Sequence, residues 1–137
     1  MAIKQYSLAK DGAVLLAPGF KVRELRCKDG SDEILVDDAL VLLLQCIREH
    51  FGKAVTITSG YRTPAHNAKV GGSKSSQHLL GRAADIQVAG TSVEDVAAYS
   101  ERLMPDWGGI GRYPVKAGRA AGWVHVDTRP NKSRWTM

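Results

Sequence analysis

Cysteine and long apolar runs are both scarce in this sequence, and their scarcity excludes several classes of protein. The two cysteines, Cys27 and Cys46, are too few and too far apart for a zinc ribbon or a Cys-x-x-Cys redox site. We expect free thiols in a reducing compartment rather than a disulfide. Residues 1–7 lack the apolar stretch of a signal peptide, and no run approaches the roughly twenty apolar residues of a transmembrane helix. We therefore expect a soluble chain, made in the cytoplasm without a secretory leader and without a membrane partner.

Internal repeats and low-complexity tracts are also absent, and few linkers interrupt the sequence. A chain of 137 residues is close to the modal size of one domain, which buries roughly two-thirds of its unfolded surface. We expect one monomeric domain over residues 1–137, with residues 1–20 as an extension packed on it or flanking it. Turn signals occur in this extension at Asp11-Gly12 and at Pro18-Gly19.

The chain is basic, with a formal charge of +5 and a pI of about 9.4. Such a balance is compatible with nucleic-acid binding, with attraction to an anionic polymer, or with plain solubility. Lysine and arginine are scattered, apart from a modest cluster at Arg129, Lys132 and Arg134, and no RNA- or DNA-binding signature accompanies them. Nucleic acid is therefore the least favoured partner.

The order of the predicted elements favours an α+β fold. Asp37 can cap a helix that runs to about His50 and stops at Gly52, because apolar residues recur there at helical spacing. Residues 54–59 read as a strand, and residues 64–70 as a short helix. The apolar positions of the long helix are Leu40, Leu43, Leu44, Ile47 and Phe51.

The second half of the chain is predicted to end in β-structure. A flexible loop over 71–76 could shape a substrate channel, and Thr91 to Glu94 resembles a capping box that opens a helix ending before Pro105. Residues 109–113 and 122–128 predict two antiparallel strands. Because helices and strands do not alternate regularly, we expect a small antiparallel sheet flanked by helices.

Two histidines and one carboxylate have the chemistry of a catalytic zinc site. His78 and Asp85 belong to the run Ser76–Asp85, and His125 lies in Trp123–Asp127. Two neutral imidazoles and one carboxylate occupy three corners of a tetrahedron and leave the fourth for water. The pattern therefore indicates a small zinc hydrolase.

Strand periodicity supports the convergence of these groups. Over residues 83–88 and 123–128 side chains alternate between faces, so Asp85 falls opposite the β-branched face of its strand, and His125 and Asp127 fall opposite that of theirs. If the strands share a sheet, Asp85 and His125 share its functional face. His78, on the preceding loop, can fold over to join them.

The sequence resembles the zinc D-alanyl-D-alanine carboxypeptidases and related peptidoglycan peptidases that share a fold with the Hedgehog signalling domain. The resemblance extends from about residue 20 to the C-terminus, and its specific part is a Ser-x-His-x-x-Gly-x-Ala-x-Asp run. The matching residues are Ser59-Gly60-Tyr61-Arg62-Thr63, then Ser76, His78, Gly81, Ala83 and Asp85, then Gly109 to Tyr113, Val124 to Arg129, and Trp135.

The resemblance implies an enzyme whose zinc ligands are His78, Asp85 and His125. It also implies that Arg62 holds a substrate carboxylate or stabilises the oxyanion, through a fixed fork of donors that lysine reproduces poorly. The implied substrate is the stem peptide of bacterial peptidoglycan. D-Ala-D-Ala carboxypeptidase action and endolysin-type endopeptidase action both remain open, with phage-type release as the route to the cell wall.

One departure leaves the general base open. Several members of the family carry a glutamate before the last histidine, but position 122 is glycine and no acid lies between Asp106 and Asp127. Asp127 is the best candidate base in the sequence. It could equally orient a ligand histidine.

The remaining candidate residues concern the substrate groove. Tyr113 and Trp123 are either walls of this groove or core aromatics, and Ser76 is a turn or pocket hydroxyl rather than a nucleophile. Two other functions stay possible. One is a non-catalytic, zinc-stabilised binding module, and the other is a phage structural protein with a relict site.

Overall fold

The computed structural model describes residues 2–137 as a mixed α and β protein with small sheets and four α-helices. The strands are β1 (Ile3–Ser7), β2 (Leu15–Ala17), β3 (Phe20–Lys21), β4 (Glu33–Asp37), β5 (Val55–Ser59), β6 (Ala83–Val88), β7 (Gly109–Tyr113), β8 (Trp123–Asp127) and β9 (Ser133–Thr136). The helices are α1 (Leu8–Asp11), α2 (Asp38–Phe51), α3 (Pro64–Lys69) and α4 (Val93–Leu103), with 3-10 turns at Val22–Leu25 and Gln77–Leu80.

The largest sheet has the strand order β5-β6-β8-β7-β9. Four of its strands pair antiparallel, as the sequence predicts, and β8 lies between β6 and β7. The prediction of a wholly antiparallel sheet is wrong at its edge, because β9 pairs parallel with β7. The return of the chain after β8 carries it across to the outer side of β7, where Ser133 N–H donates to the carbonyl of Gly108 at 3.0 Å.

Residues 2–20 are built into the fold by strand pairing. β1 pairs antiparallel with β4, from Ile3 opposite Asp37 to Ser7 opposite Glu33. β2 and β3 form a hairpin across the predicted Pro18-Gly19 turn, and the side chain of Phe20 is buried in the core. The sequence shows the turns of this region but not its strand partners.

Helix α2 follows the predicted pattern. The Asp37 carboxylate accepts from Ala39 N–H at the start of the helix. Gly52, with φ of 61°, ends it in the left-handed conformation that glycine adopts without strain. Its buried face carries Leu40, Leu43, Leu44 and Ile47.

Helix α4 starts one residue later than the predicted capping box. Ser92, rather than Thr91, is the N-cap, and its hydroxyl accepts from the N–H of Asp95 at 3.0 Å. The Thr91 hydroxyl donates instead to the carbonyl of Ala89. Serine and threonine can both cap a helix. Here the Thr91 hydroxyl turns back toward Ala89, and Ser92 caps α4.

The core lies between the large sheet and the two longer helices. α4 packs on β7 and β8, while α2 contacts β6 and α4. The apolar faces of β6 and β8 enter this core through Ile86, Val124 and Val126. The opposite sheet face is left for polar groups. Within residues 2–137, no helix combines the length and the apolar character needed to cross a membrane.

Candidate active site

His78, Asp85 and His125 meet at the polar face of the large sheet. Asp85 on β6 and His125 on β8 are direct cross-strand partners, as the alternation of the two strands predicts. His78 comes from the 3-10 turn Gln77–Leu80 that precedes β6. All three side chains are buried, with 3% of His78, 8% of Asp85 and 7% of His125 exposed.

Hydrogen bonds fix the ring of His78. Its Nδ1–H donates to the carbonyl of Gly60 at 2.7 Å, which leaves Nε2 directed at Asp85 Oδ1, 3.4 Å away. The backbone around the ring is also held, because Ser76 Oγ accepts from the N–H of His78 and Arg62 N–H donates to the carbonyl of His78. The sequence Ser76-Gln77-His78 therefore makes a rigid turn that presents one imidazole nitrogen.

Gly81 closes this turn. It adopts φ of +72°, and a Cβ there would collide with the backbone carbonyl of Leu35. The Gly81 carbonyl accepts from Asp37 N–H at 2.8 Å, which ties the turn to the end of β4. Only glycine satisfies both the backbone angle and the close approach.

Asp85 lies at the centre of the cluster. Its Oδ1 is 3.0 Å from His125 Nδ1 and 3.4 Å from His78 Nε2, and its Oδ2 is 3.5 Å from the Arg62 guanidinium. Burial alone would raise the pKa of Asp85, but the hydrogen bonds and charges of His125 and His78 outweigh it and hold the pKa below its ordinary value. The group is therefore an ionised carboxylate in a buried position.

The other ring nitrogen of His125 contacts Asp127. His125 Nε2–H donates to Asp127 Oδ2 at 2.7 Å, so in the neutral ring the Nδ1 lone pair faces Asp85. Burial alone would lower the pKa of His125, but the carboxylates of Asp127 and Asp85 raise it above its ordinary value.

Asp127 is itself fully enclosed. Its side chain is 0% exposed, and Arg129 binds both of its carboxylate oxygens, at 2.8 Å to Oδ1 and 2.6 Å to Oδ2. The N–H of Gly109 also donates to Oδ1. Burial would raise the pKa of Asp127, but these contacts and His125 lower it below the ordinary range. Of the two roles that the sequence left open, this geometry favours orientation of His125 over proton abstraction.

The donor set fits a zinc ion. Ligands at about 2.0–2.1 Å from a tetrahedral ion lie roughly 3.3 Å from one another. The Asp85 oxygen is 3.0 Å from the His125 nitrogen and 3.4 Å from the His78 nitrogen, and one ligand atom from each residue falls within 4.8 Å of the others. Two imidazoles and a carboxylate, each with an outer hydrogen-bond partner, are typical of a catalytic zinc centre.

Arg62 lies beside this cluster, just after β5. Its Nε donates to Ser59 Oγ at 3.1 Å and one terminal nitrogen donates to Asn67 Oδ1 at 3.3 Å. The other terminal nitrogen faces Asp85. The guanidinium is thus held in one orientation at the edge of the pocket, where it can contact an anionic ligand group.

A pocket of about 400 Å³ opens above the cluster. Arg62, Ser76, Tyr113 and Trp123 all line it, so the structure brings every predicted substrate-binding residue to one cavity. Ser76 has a turn role as well, since its hydroxyl caps the 3-10 helix.

Aromatic rings form one wall of the pocket. Tyr113 and Trp123 stack with centroids 4.8 Å apart, and the Arg119 guanidinium lies over both rings. Trp135 on β9 continues the wall, because its indole N–H donates to the Tyr113 hydroxyl at 3.0 Å. Its ring lies 5.0 Å from that of His125. The Tyr113–Trp123 pair is therefore pocket wall rather than core.

Two polar pocket residues outside the 71–76 loop were not identified from the sequence as site residues. Arg129 lines the cavity beside the His125–Asp127 pair, two residues beyond Asp127. Gln77 also lines it, and its buried Oε1 lacks a hydrogen-bond partner among the described residues. For Arg129, the spacing of two residues from Asp127 was the available sequence signal. For Gln77, the sequence contains no comparable signal.

Position 122 does not face the pocket. A Cβ on Gly122 would meet the Tyr113 carbonyl oxygen at 2.5 Å and the Val93 side chain at 2.8 Å, and the Gly122 carbonyl accepts from Gln87. A glutamate here would need the backbone to move. Among the residues that line the pocket, Asp85 is the only carboxylate.

Two comparisons with known proteins bear on this site. The family model described as Peptidase M15 matches residues 15–127, which is most of the chain. The chain is also similar to the probable peptidoglycan L,D-endopeptidase MepK of Haemophilus influenzae, with 33% identity over 81 residues. That match covers 56% of this chain and 40% of the relative, so the chain spans less than half of that relative's length.

Proposed function

Because the chain belongs to the peptidase M15 family of metallopeptidases, we propose that it is a zinc-dependent peptidase that hydrolyses peptidoglycan stem peptides. The observation that carries the proposal is the cluster of His78, Asp85 and His125, whose donor atoms face one another at the base of an open pocket. A zinc ion held by this set would act as a Lewis acid and supply an activated water.

The residues around the cluster have separate roles in this proposal. His78 and His125 are kept in a single orientation by the Gly60 carbonyl and by Asp127. Arg62 binds a substrate carboxylate or the developing oxyanion, because its guanidinium is fixed at the pocket edge. We assign Asp127 as a positioning residue, since His125 and Arg129 occupy its oxygens.

The shape and chemistry of the pocket suit a peptide with a free carboxylate. Arg62 and Arg129 both reach the cavity, and the aromatic wall of Tyr113, Trp123 and Trp135 offers flat apolar surface. A terminal carboxylate on Arg62 favours D-Ala-D-Ala carboxypeptidase action. The similarity to a probable L,D-endopeptidase supports cleavage within the stem peptide instead, as a phage-type endolysin would do.

Digestion of purified peptidoglycan, followed by mass spectrometry of the muropeptides, tests the proposal. Loss of one D-alanine, a split cross-link and a freed L-alanine end give different mass shifts, so the cleaved bond is read directly. We expect zinc-loaded protein to release product and His78→Ala to release none. Folding of the variant is checked by circular dichroism. Release of no fragment by zinc-loaded protein would overturn the proposal.

A non-catalytic, zinc-stabilised binding module is the second candidate. It is supported by glycine at position 122 and by the lack, within the described pocket lining, of a carboxylate other than Asp85. Such a module would bind zinc and sediment with insoluble peptidoglycan without changing the muropeptide masses. A phage structural protein with a relict site would bind neither.

The proposal also covers the domain organisation of the chain and its route to the cell wall. We propose a single monomeric domain over residues 1–137 with a Hedgehog-like arrangement, supported by one core that contains residues from Phe20 to Val126. We also propose that the protein reaches the cell wall by phage-type release. The positive net charge of the chain would attract it to an anionic cell wall.

A further inference from the structure

A second cluster of metal-ligating side chains lies apart from the proposed zinc site. Cys27 and Asp29 lie on the loop between the Val22–Leu25 turn and β4, and His66 lies in the first turn of α3. One ligand atom from each residue falls within 4.8 Å of the others. The cluster shares no residue with the His78–Asp85–His125 set, and none of its three residues lines the active-site pocket.

Cys27 presents a buried sulfur with a backbone donor directed at it. The residue is 0% exposed, and Thr63 N–H donates to Sγ at 3.4 Å. An N–H donor of this kind is the outer contact that supports a metal-bound thiolate. A plain core cysteine would need no such partner, because it packs as a small hydrophobic side chain.

The Asp29 carboxylate is held in place by hydrogen bonds from two residues. Ser31 N–H donates to Oδ1 at 2.8 Å, and the Thr63 hydroxyl donates to Oδ2 at 2.8 Å. Asp29 is exposed on its outer side. A cation bound here would therefore keep one coordination position open to water, next to three protein ligands.

Thr63 connects all three members of the cluster. Its backbone N–H contacts Cys27 and its hydroxyl donates to Asp29. The same hydroxyl oxygen accepts from the N–H of His66 at 3.2 Å, as the N-cap of α3. The cap that starts this helix thus also links the thiol, the carboxylate and the backbone of His66.

We propose that Cys27, Asp29 and His66 form a second zinc site. A thiolate, an imidazole and a carboxylate are ligands that zinc accepts in a tetrahedral geometry, and a soft sulfur ligand disfavours Mg²⁺ and Ca²⁺. The ion would fasten the loop that precedes β4 to the first turn of α3. The connection that leads into this turn contains Arg62, so the second site would stiffen the support of the substrate-binding arginine.

Cobalt substitution tests this site separately from the active site. Metal-free protein is titrated with Co²⁺, because a thiolate ligand gives a charge-transfer band that imidazole and carboxylate ligands do not give. We expect two Co²⁺ per chain and the thiolate band. Cys27→Ser should bind one Co²⁺ without the band, and His78→Ala should bind one with the band retained.

Matched controls use the other thiol and another histidine. Cys46→Ser and His50→Gln lie on α2, away from the cluster, and should keep both ions and the band. His66→Gln retains the thiol and should weaken Co²⁺ binding at this site at least tenfold. A wild-type chain that binds one Co²⁺ without the band would overturn the second site and leave the active-site proposal standing. Loss of both ions in His78→Ala, or a band that persists in Cys27→Ser, would also overturn it.

Discussion

His125 and Asp127 lie on the same face of β8, and their side chains join through a 2.7 Å hydrogen bond from Nε2–H to Oδ2. The bond directs the other nitrogen of His125 toward Asp85. Because Arg129 binds the same carboxylate, the ring orientation is set from the far side of the cluster.

Asp127→Asn should therefore weaken zinc binding, and its effect should not be confined to the turnover rate. Loss of an outer hydrogen-bond partner typically reduces metal affinity about 10–100-fold, and turnover should partly recover at saturating zinc. Zinc affinity by competition with a chelator and turnover on peptidoglycan are measured together. Asp106→Asn, at an exposed position, is the matched control. Unchanged zinc affinity with abolished turnover would instead support a general-base role for Asp127.

Zinc should stabilise the fold through the active-site cluster. In a Cys27→Ser background, free zinc at about 100 times its dissociation constant should add about 2.7 kcal/mol to the free energy of unfolding. Calorimetry with and without a chelator measures the shift in Tm. His78→Ala in the same background should show little shift, and an equal shift in both proteins would contradict the assignment of His78 as a ligand.

Arg62→Lys should impair substrate binding more than folding. Lysine keeps the charge but loses the planar fork held by Ser59 and Asn67. Hydrogen bonds to charged groups contribute about 1.5–3 kcal/mol, so kcat/KM should fall roughly 10- to 100-fold. Arg23→Lys, on the exposed surface, is the control. Normal kcat/KM in Arg62→Lys would show that the arginine side chain is not needed for substrate binding.

Gly81→Ala should destabilise the turn that carries His78. The left-handed backbone costs an alanine about 1–2 kcal/mol, and the added Cβ would also collide with the Leu35 carbonyl. Gly30→Ala isolates the effect of the backbone angle, because Gly30 has φ of +84° and no described residue lies within 4 Å of its Cβ position. Urea unfolding should show the larger loss for Gly81→Ala. Equal losses would mean that the close approach to Leu35 is easily relieved.

Tyr61 gives a pH prediction for metal-free protein that does not involve the His78–Asp85–His125 cluster. Burial, reinforced by its hydrogen bond to Glu33, raises the pKa of Tyr61 from 10.0 to about 12. The folded state therefore favours the neutral phenol, so its contribution to stability is complete below pH 10 and is lost between about pH 10 and 12.

Ultraviolet titration of the folded protein resolves this group among the four tyrosines. One phenol should ionise near pH 12. Tyr61→Phe should lack that transition, and Glu33→Gln should shift it toward lower pH. Titration of all four tyrosines together near their ordinary pKa would contradict the structure.

Local sequence signals account for much of the fold. The spacing of apolar residues and the caps Asp37 and Gly52 specify α2, and strict alternation specifies the buried faces of β6 and β8. The same alternation places Asp85 opposite His125. These features depend on neighbours in the chain, so a single sequence contains them.

Features that depend on residues far apart in the sequence could not be predicted from local patterns. The pairing of β1 with β4 and of β9 with β7 joins short segments without a strong periodic pattern. The enclosure of Asp127 depends on Arg129 and on the N–H of Gly109. The Cys27–Asp29–His66 cluster likewise joins groups separated by 39 residues, and only the three-dimensional structure brings them together.

The direct pairing of Asp85 with His125 makes the centre sensitive to insertions and deletions in its two strands. Side chains change face with every residue, so removal of one residue within β6 would turn the carboxylate into the apolar layer while the imidazole stayed behind. Length changes in the loops at 71–76 and 114–121 would leave that pairing intact. Insertions and deletions can therefore accumulate in the loops around the pocket. At the base of the pocket, where β6 and β8 pair, only substitutions keep the two side chains together.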